Sequence, residues 1–428
     1  VLFRSVIDSL FLLVSIMFRL FITAALCIGI TAFKSYENYQ VWKVTVSNLE
    51  QQALLLSLEN GGHLDCWTTL KKSLPQTLLL SLSSEEVPLT ASKFDKLGIL
   101  HSTVSSNLQR MIAVSFENKK ERLPGKDLDL NVYHSLKDVR SFTDMLSAKH
   151  DFISKRQIGL STAEKIPIEM VTFQIDEEKR QSVYLDCGIH AREWITVAVC
   201  LKLMDNLAKG WTQGWPQEKH ILKKFNIHVV PVYNTEGYNY TWTEDRLWRK
   251  NRRNNVGNQC KGVDLNRNYD IHFGEIGASH YPCSETYCGP EGNSESETKA
   301  AIKALEEVRP HAYFNIHSFS QLWMYPYGYT DTPPAHVDEL DRVARIGVEK
   351  LSSFYQTQYE VGSKYTVIYP STGSTIDYIY DNIPSVKYAY TLELRDKGDY
   401  GFLLPEEQIP ATTKETYEGI MAALKAMK

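Results

Sequence analysis

The chain has 428 residues, of which 43% are hydrophobic and 23% are charged, and its formal net charge at pH 7 is −4. This composition is ordinary for a soluble globular protein, and the length favours two folded units preceded by a leader over a single core. The slight negative charge and the lack of a basic tract argue against nucleic acid as a partner.

Residues 5–33 are mostly apolar, but Asp8 and Arg19 interrupt the apolar run. Counted from Met17, the stretch has a basic start, an apolar run over residues 20–29 and a small residue, Ala32, before the expected cleavage point. This arrangement is typical of a secretory signal peptide. We therefore predict that residues 1–32 are a leader and that the protein is secreted, without stable membrane association. An uncleaved membrane anchor is the alternative, which the two charges disfavour.

A small α/β unit is predicted from residue 33 to about residue 122. Tyr39–Val46 has the residue types of a strand, and Leu49–Leu58 is predicted to be a helix, since the Asn-Gly-Gly sequence after it is a helix stop signal. We also expect a connecting helix over Ala91–Phe116. Residues 117–125 are charged and end in Pro-Gly, which is typical of a linker. Its three basic residues are easy targets for a trypsin-like protease, although an ordinary solvated charge run has the same composition.

The most distinctive stretch is Cys187–Trp194, with the sequence CGIHAREW. It follows a strand-like apolar run and precedes a predicted helix over Trp194–Leu207, and open α/β sheets bind ligands at such carboxyl ends of strands. His190 and Glu193, three positions apart, can converge on one cation. A catalytic zinc needs three protein ligands and one open position. The pair alone occurs by chance in many chains, so its meaning depends on the rest of the sequence.

A third candidate ligand, His317, comes much later in the chain. The segment His311–Ser318 alternates, so that Tyr313, Asn315 and His317 share one strand face with the histidine at the carboxyl end. Together with the earlier pair, it predicts a site for one Zn²⁺ per chain.

Charged residues also occur in apolar settings. Arg249 follows a tryptophan, and Asn266 and Arg267 end the short strand of VDLNRN. Glu393 lies on one face of the alternating segment Tyr388–Asp396. A carboxylate on the inner face of an apolar strand is costly unless it is paired or functional. For each residue taken alone, a surface salt bridge or a satisfied core polar group is the simpler interpretation.

Taken together and in this order, these segments resemble the zinc metallocarboxypeptidases of the pancreatic A/B type with their activation propeptide. The resemblance runs from about Tyr39 to the C-terminus, and its motifs are GIHAREW, DRLWRK, VDLNRN, IHSFSQ, YPYGY, the Tyr369 segment and ELRD followed by YGFLLP. It implies an α/β fold with a mixed β-sheet flanked by helices, preceded by a small α/β open-sandwich propeptide domain. Residues 33–122 would be the activation propeptide and residues 123–428 the zinc carboxypeptidase domain, with a trypsin-like protease as activator.

The resemblance also implies roles in hydrolysis of the C-terminal peptide bond. His190, Glu193 and His317 match the zinc ligands, the set of two histidines and one glutamate known from carboxypeptidase A. Glu393 matches the general base that takes a proton from the attacking water. Arg249 matches the cation that stabilises the oxyanion.

Other residues of the family recognise the end of the substrate chain. Asn266 and Arg267 match the pair that holds the free C-terminal carboxylate, which a planar guanidinium binds in bidentate fashion. Tyr369 matches a mobile tyrosine that closes over the substrate, and Arg192 and Phe402 match secondary substrate contacts. The expected partners are peptides or proteins with a free C-terminus, and the enzyme is expected to be a monomer.

A peptide-binding homologue with weak or no turnover is the alternative from a different class of function. Phe319 stands where relatives often have a tyrosine, so one hydroxyl near the substrate is lost. The zinc-ligand and base positions are intact, however, and a relative without catalysis would be expected to lack one of them. The sequence therefore favours an active enzyme.

The resemblance places Ile376 and Gly328 in the pocket that receives the C-terminal side chain, which predicts a preference for apolar or aromatic residues. Asp377 would favour basic residues if the alignment slipped by one position. Lys364 replaces an apolar or small residue of the pocket wall, and it would favour acidic residues if its ammonium group reached the cavity. Its long stem could equally carry the charge out to solvent.

Seven cysteines fit a secreted protein. Cys187 with Cys200, and Cys260 with Cys283, match disulfides of the family. Cys288 matches one half of a third bridge whose other half is missing here, so it is expected to be free or paired elsewhere.

Overall fold

The structure, a computed structural model, describes residues 33–68, 74–115 and 128–428. The predicted leader, residues 1–32, and the predicted protease-sensitive linker, residues 117–125, lie outside the described residues. Across the described ranges, every helix is too short or too polar to cross a lipid bilayer.

The first described part of the chain is a small four-stranded antiparallel sheet with three helices, which we call the N-terminal unit (residues 35–115). Its elements are β1 (Tyr39–Val46), α1 (Leu49–Asn60), β2 (Asp65–Cys66), β3 (Gln76–Ser83), α2 (Val87–Lys96), β4 (Leu100–Ser105) and α3 (Leu108–Val114). The strand order is β2–β3–β1–β4. The predicted first strand is confirmed, and the predicted first helix continues to Asn60. Asn48 caps that helix by accepting a hydrogen bond from the Gln51 N–H.

One apolar core holds the N-terminal unit together. Trp42, Val44 and Val46 of β1 lie in one buried cluster with Leu55 and Leu58 of α1. Their spacing is two along the strand and three along the helix, which places each set on one face of its element.

The predicted connecting helix over Ala91–Phe116 is wrong, because a strand interrupts it. The helix α2 ends at Lys96, and Gly98 follows with φ +66°, a left-handed conformation that glycine adopts readily. The strand β4 then pairs antiparallel with β1. Serine and β-branched residues are weak helix formers, and β1 offers an open edge for their backbone hydrogen bonds.

The larger part of the chain is built on an eight-stranded mixed sheet. Its strands are β5 (Ile153–Leu160), β6 (Pro167–Phe173), β7 (Gln181–Cys187), β8 (Phe225–Val230), β9 (Ala312–Ser318), β10 (Leu322–Tyr325), β11 (Glu360–Ser363) and β12 (Tyr388–Leu394). Their spatial order is β11–β10–β12–β9–β7–β8–β6–β5. The four central strands, β12, β9, β7 and β8, run parallel. At the two sides of this group, β10 pairs antiparallel with β12 and β6 pairs antiparallel with β8.

Helices cover this sheet. They are α4 (Leu136–Lys149), α5 (Trp194–Gln213), α6 (Pro216–Lys224), α7 (Thr235–Thr243), α8 (Ser296–Val308), α9 (Val337–Tyr355), α10 (Lys364–Val367), α11 (Thr375–Asn382) and α12 (Ile409–Ala426), with short 3₁₀ turns at Gly401–Leu403 and Glu406–Gln408. A mixed sheet flanked by helices, preceded by a small α/β unit, is the predicted fold class, which is confirmed.

Both faces of the central strands of the main sheet are buried. Tyr313 and Phe314, neighbours in β9, belong to different apolar clusters, and so do Tyr184 and Leu185 in β7. Successive side chains of a strand point to opposite faces, so each face carries its own core. Polar side chains on these central strands therefore need partners inside the protein.

The two expected disulfides, Cys187–Cys200 and Cys260–Cys283, are present. The first joins β7 to α5, and the second lies within the long segment between α7 and α8. Cys288 is a buried free thiol.

Candidate metal and active site

The predicted site residues meet where three neighbouring strands of the main sheet end. His190 and Glu193 lie in the turn between β7 and α5, the helix that begins at Trp194 as predicted. His317 is the next-to-last residue of β9, and Glu393 lies beside it in β12. Adjacent parallel strands thus bring distant parts of the sequence to one edge of the sheet.

The turn that carries His190 depends on Gly188. This glycine has φ +68°, and a Cβ atom there would lie 3.2 Å from Val197 and 3.7 Å from the backbone of Val232. The close approach and the left-handed backbone both favour glycine.

His190, Glu193 and His317, which we call the metal cluster, are buried and offer ligand atoms that all lie within 4.8 Å of one another. Glu193 Oε1 is 2.7 Å from His190 Nδ1, and Oε2 is 3.1 Å from His317 Nδ1. Burial opposes ionisation of Glu193, but the two histidines hold its pKa well below the usual value. Burial lowers the pKa of His317 to about 4 although Glu193 opposes the shift, so this imidazole is neutral at pH 7.

An oxygen atom lies behind each histidine. His190 Nε2 is 3.1 Å from Asp264 Oδ1, and His317 Nε2 contacts Asn315 Oδ1. Both oxygens can accept a hydrogen bond, and a ring that donates to such an oxygen from Nε2 turns its Nδ1 lone pair toward Glu193. A bound cation stabilises an arrangement in which imidazole lone pairs face a carboxylate. A metal-binding histidine usually donates its other ring N–H to an oxygen atom, as Asp264 and Asn315 offer here.

The donor set of the metal cluster fits zinc. Imidazole nitrogens and a carboxylate are ligands that Zn²⁺ takes, and three protein ligands leave a fourth position for water or substrate. These three residues could therefore hold one zinc ion, as the sequence predicts.

Asp264 and Asn315 are contacts of the site whose roles the sequence analysis missed. Asp264 also accepts a hydrogen bond from Arg249 Nη2 at 2.8 Å. Burial works against its ionisation, but Arg249 and His190 hold the pKa of Asp264 well below its usual value. The available signals were an acidic residue between two apolar ones in VDLNRN, and an asparagine on the strand face that carries His317.

Arg249 and Glu393 lie beside the metal cluster. Arg249 Nη1 is 4.0 Å from Glu193 Oε1. Burial and the charge of Glu193 raise the pKa of Glu393 well above its usual value, although Arg249 opposes the shift. A carboxyl group with a raised pKa can take up and release a proton near neutral pH, as a general base that later acts as an acid must do.

Asn266, Arg267 and Tyr369 line the same cavity as the metal cluster. Arg267 donates hydrogen bonds to the carbonyls of Gly277 and Asn266, both at 2.8 Å, and to the Tyr369 hydroxyl. Asn266 Oδ1 accepts hydrogen bonds of 2.9 Å from the N–H and the O–H of Thr375. The structure therefore brings together the residues expected to hold a terminal carboxylate.

The residues expected to select the C-terminal side chain do not all line the cavity of the metal cluster. Ile376 is buried in the apolar cluster that also holds Leu265, and the described lining of the cavity includes Lys364 but not Ile376. The Gly328 N–H donates to both oxygens of Asp377 at 3.0 Å. Of these residues, Lys364 is the one that reaches the metal-cluster cavity.

The N-terminal unit covers the predicted substrate contacts. Asp65 forms an ion pair of 2.8 Å with Arg192, and Trp67 lines the cavity of the metal cluster. The Trp67 and Phe402 rings have centroids 5.9 Å apart, and the Arg192 guanidinium lies 4.1 Å from the centre of the Phe402 ring. Arg192 and Phe402 are thus both in contact with the N-terminal unit.

A buried apolar cluster, which we call the joint cluster, is shared by the two parts of the chain. The Tyr36 hydroxyl, at its edge, donates to Asp245 at 2.6 Å. The joint cluster consists of Tyr36, Val41, Trp67, Leu79, Leu108 and Ile112 from the N-terminal unit, and Leu247, Phe319, Phe402 and Leu403 from the larger part.

Comparisons with known proteins agree with this arrangement. The family model described as zinc carboxypeptidase matches residues 139–419. Carboxypeptidase B of Bos taurus is 35% identical over 413 residues, 93% of this chain and 95% of the bovine protein. Carboxypeptidase A1 of Sus scrofa is 35% identical over 421 residues, 96% of this chain and 98% of the porcine protein. The crystal structure of thrombin activatable fibrinolysis inhibitor is 30% identical, has a TM-score of 0.83, and the match covers 91% of this chain and 98% of that one.

Proposed function

The chain belongs to the zinc carboxypeptidase family and is a metallocarboxypeptidase, and from this we propose that it releases single residues from the free C-terminal ends of peptides. The observation that carries the proposal is the convergence of the metal cluster, Glu393 and Arg267 on one cavity. Because both the catalytic groups and the carboxylate-binding groups are present, this arrangement supports an active enzyme over a peptide-binding homologue without turnover.

The chemistry divides between a metal and side chains. Bound by His190, Glu193 and His317, a zinc ion supplies a Lewis acid that polarises the peptide carbonyl and makes water reactive near neutral pH. Glu393 takes the proton from the attacking water and passes it to the leaving amine. Arg249 stabilises the negative charge that develops on the carbonyl oxygen.

Arg267 is the residue that recognises the C-terminal end of a substrate chain. Its guanidinium binds the terminal carboxylate in bidentate fashion, and Asn266 assists. This contact sets the last peptide bond beside Glu393, because the carboxylate lies one residue beyond that bond. Tyr369, which contacts Arg267 through its hydroxyl, closes over the bound residue.

The protein is further proposed to be secreted as an inactive precursor. Asp65 forms an ion pair with Arg192, and Trp67 lines the cavity. A substrate chain therefore competes with the N-terminal unit for the same space. Residues 1–32 act as the leader and residues 33–122 as the activation propeptide. A trypsin-like protease that cuts in the linker leaves residues 123–428 as a monomeric catalytic domain. The two disulfides support an extracellular destination.

One peptide in two forms, with a free C-terminal carboxylate and with a C-terminal amide, tests the proposal. After trypsin treatment, the protein should release one residue from the free acid and leave the amide intact, since only the acid pairs with Arg267. N-terminal sequencing should find the new chain end between Lys120 and Leu123. Equal cleavage of both peptides would contradict the exopeptidase, and full activity before trypsin treatment would contradict the precursor.

The sequence leaves three expectations for the identity of the released residue. A pocket defined by Ile376 predicts an apolar or aromatic residue, one defined by Lys364 predicts an acidic residue, and one defined by Asp377 predicts a basic residue. The lining of the cavity supports the second, because Lys364 belongs to it and Ile376 packs in the core.

A further inference from the structure

Lys364 places a buried cation in the cavity of the metal cluster. It begins the short helix α10, its residue is 4% exposed, and it lines the cavity with Arg267, Thr391 and Glu393. Its Nζ atom is buried and has no hydrogen-bond partner among the described residues. A buried ammonium group without a partner is costly, so its position indicates that a ligand supplies the missing acceptor.

The stem of Lys364 does not carry the charge to solvent, which was the alternative open from the sequence. A Cβ atom built on Gly328 would lie 2.9 Å from Lys364 Cδ, so the stem crosses directly over this glycine. Glycine at residue 328 therefore leaves room for the lysine rather than for an aromatic ring.

A second cation, Arg267, faces the same cavity, and it has no carboxylate partner in the part of the chain that the structure describes. The three described side-chain hydrogen bonds of Arg267 go to the carbonyls of Gly277 and Asn266 and to the Tyr369 hydroxyl, which are all neutral groups. Two cations that lack carboxylate partners match a ligand with two carboxylates. A peptide that ends in glutamate or aspartate has two at its last residue, one on the main chain and one on the side chain.

The carboxylate of Asp377 lies near Lys364, but its described hydrogen bonds go to other groups. It accepts hydrogen bonds from the Gly328 N–H at 3.0 Å and from the Ser374 hydroxyl at 2.9 Å. The described lining of the cavity includes Lys364 but not Asp377, so a basic side chain of a substrate would enter a cavity that already holds the lysine ammonium. Like charges disfavour that pairing.

We propose that Lys364 selects substrates with an acidic C-terminal residue by forming an ion pair with the side-chain carboxylate while Arg267 holds the main-chain carboxylate. This inference rests on the proposed carboxypeptidase activity and names its substrate class. Burial and the charge of Arg267 lower the pKa of Lys364 to about 8, although Asp377 opposes the shift, so the ammonium group is present at neutral pH.

The test compares kcat/KM of the trypsin-treated protein for blocked dipeptides that differ only in the last residue: Glu, Gln, Leu, Phe and Arg. Glutamate and glutamine have nearly the same shape, so their ratio isolates the charge. We expect glutamate to exceed glutamine by at least about 100-fold, since buried polar groups left unpaired penalise the wrong ligand strongly. Lys364→Met should lower kcat/KM for glutamate by a similar factor and raise that for leucine.

Two further variants serve as controls. Lys364→Arg keeps the charge and should keep glutamate ahead of glutamine. Lys303→Met, on an exposed side chain of α8, should leave the substrate profile of the wild-type protein unchanged. If Lys364→Met does not fold, the glutamate-to-glutamine ratio of the wild-type protein decides the question.

The outcomes separate the two proposals. Hydrolysis with leucine or phenylalanine ahead of glutamate, or an unchanged profile in Lys364→Met, would overturn the acidic specificity and leave the carboxypeptidase activity standing. If no member of the series is hydrolysed, the proposed function fails, and the specificity that rests on it fails too.

Discussion

The metal cluster and the pocket around Lys364 differ in how their polar groups are satisfied. At the metal cluster, each histidine has an oxygen behind it, and Arg249 is paired with Asp264. In the pocket, Lys364 has no hydrogen-bond partner among the described residues. Groups of the chain itself pair with the polar atoms of the metal cluster, whereas we propose that a ligand supplies the partner of Lys364. Substitutions in the first should therefore change turnover or metal affinity, and substitutions in the second should change which substrate is chosen.

The sharpest test of this contrast is the removal of the proposed base. Glu393→Ala should lower kcat for every substrate by about a thousandfold, because proton transfer by a placed side chain contributes about 10²–10⁴-fold. Zinc should remain bound, since the three predicted ligands are untouched. Metal analysis and kcat should be measured together, with Glu349→Ala, an exposed glutamate of α9, as the control. A rate close to that of the wild-type protein would remove Glu393 from the mechanism.

The next largest effect is expected from replacing Asp264, whose carboxylate lies behind His190. Asp264→Asn should weaken zinc binding by about 10–100-fold, because the oxygen behind a metal-binding histidine fixes its orientation and basicity. Competition with a coloured chelator measures this directly, without any assay of activity. Asp151→Asn, at an exposed position, should bind zinc as the wild-type protein does. Equal affinities in the two variants would mean that Asp264 does not hold His190 in place.

The pocket should respond to pH in a way that the metal cluster does not. Lys364 has a pKa of about 8, so its charge is present below pH 8 and is lost above it. The ratio of kcat/KM for glutamate over glutamine should therefore fall about tenfold between pH 7 and pH 9, as the protonated fraction does. Titration of catalytic groups cancels in this ratio. In Lys364→Arg the ratio should stay flat, and a ratio that rises with pH in the wild-type protein would contradict the ion pair.

The smallest effect is expected where the N-terminal unit meets Arg192. Asp65→Asn should raise the activity of the uncut protein toward small peptides by about fivefold at most, since a partly exposed ion pair contributes about 1 kcal/mol. Activity before and after trypsin treatment should be compared, with Glu50→Gln, at an exposed position of α1, as the control. No increase in the uncut protein would mean that Trp67 and its neighbours block the site without help from the ion pair.

The metal cluster could be predicted from the sequence because local patterns place its residues at strand ends and because these segments together resemble a known family. The spacing of His190 and Glu193 alone occurs by chance in many chains. His190 and Glu193 share one strand-to-helix turn, and the alternation in β9 and β12 places His317 and Glu393 at strand ends. The main sheet could be anticipated for the same reason, since its central strands are apolar and regular.

Other features depend on contacts between segments that are far apart in the chain. The residues of β4 have no strong pattern, and the free edge of β1 decides that they form a strand. The pairing of Asp65 with Arg192 joins residues 127 positions apart. The direction of the Lys364 side chain depends on Gly328, which lies in a different loop. No local sequence pattern indicates any of these contacts, so residue propensity and spacing could not identify them.

The joint cluster has a consequence for the timing of activation. Its ten side chains come from both sides of the proposed cleavage point, so cutting the linker removes none of them. Separation would expose the rings of Phe319 and Phe402 to water, at a cost that grows with the apolar area uncovered. In the proposed precursor, cleavage of the chain and opening of the site are therefore expected to be two events with a delay between them. The dissociation rate of the N-terminal unit, and not the speed of the activating protease, sets the length of that delay.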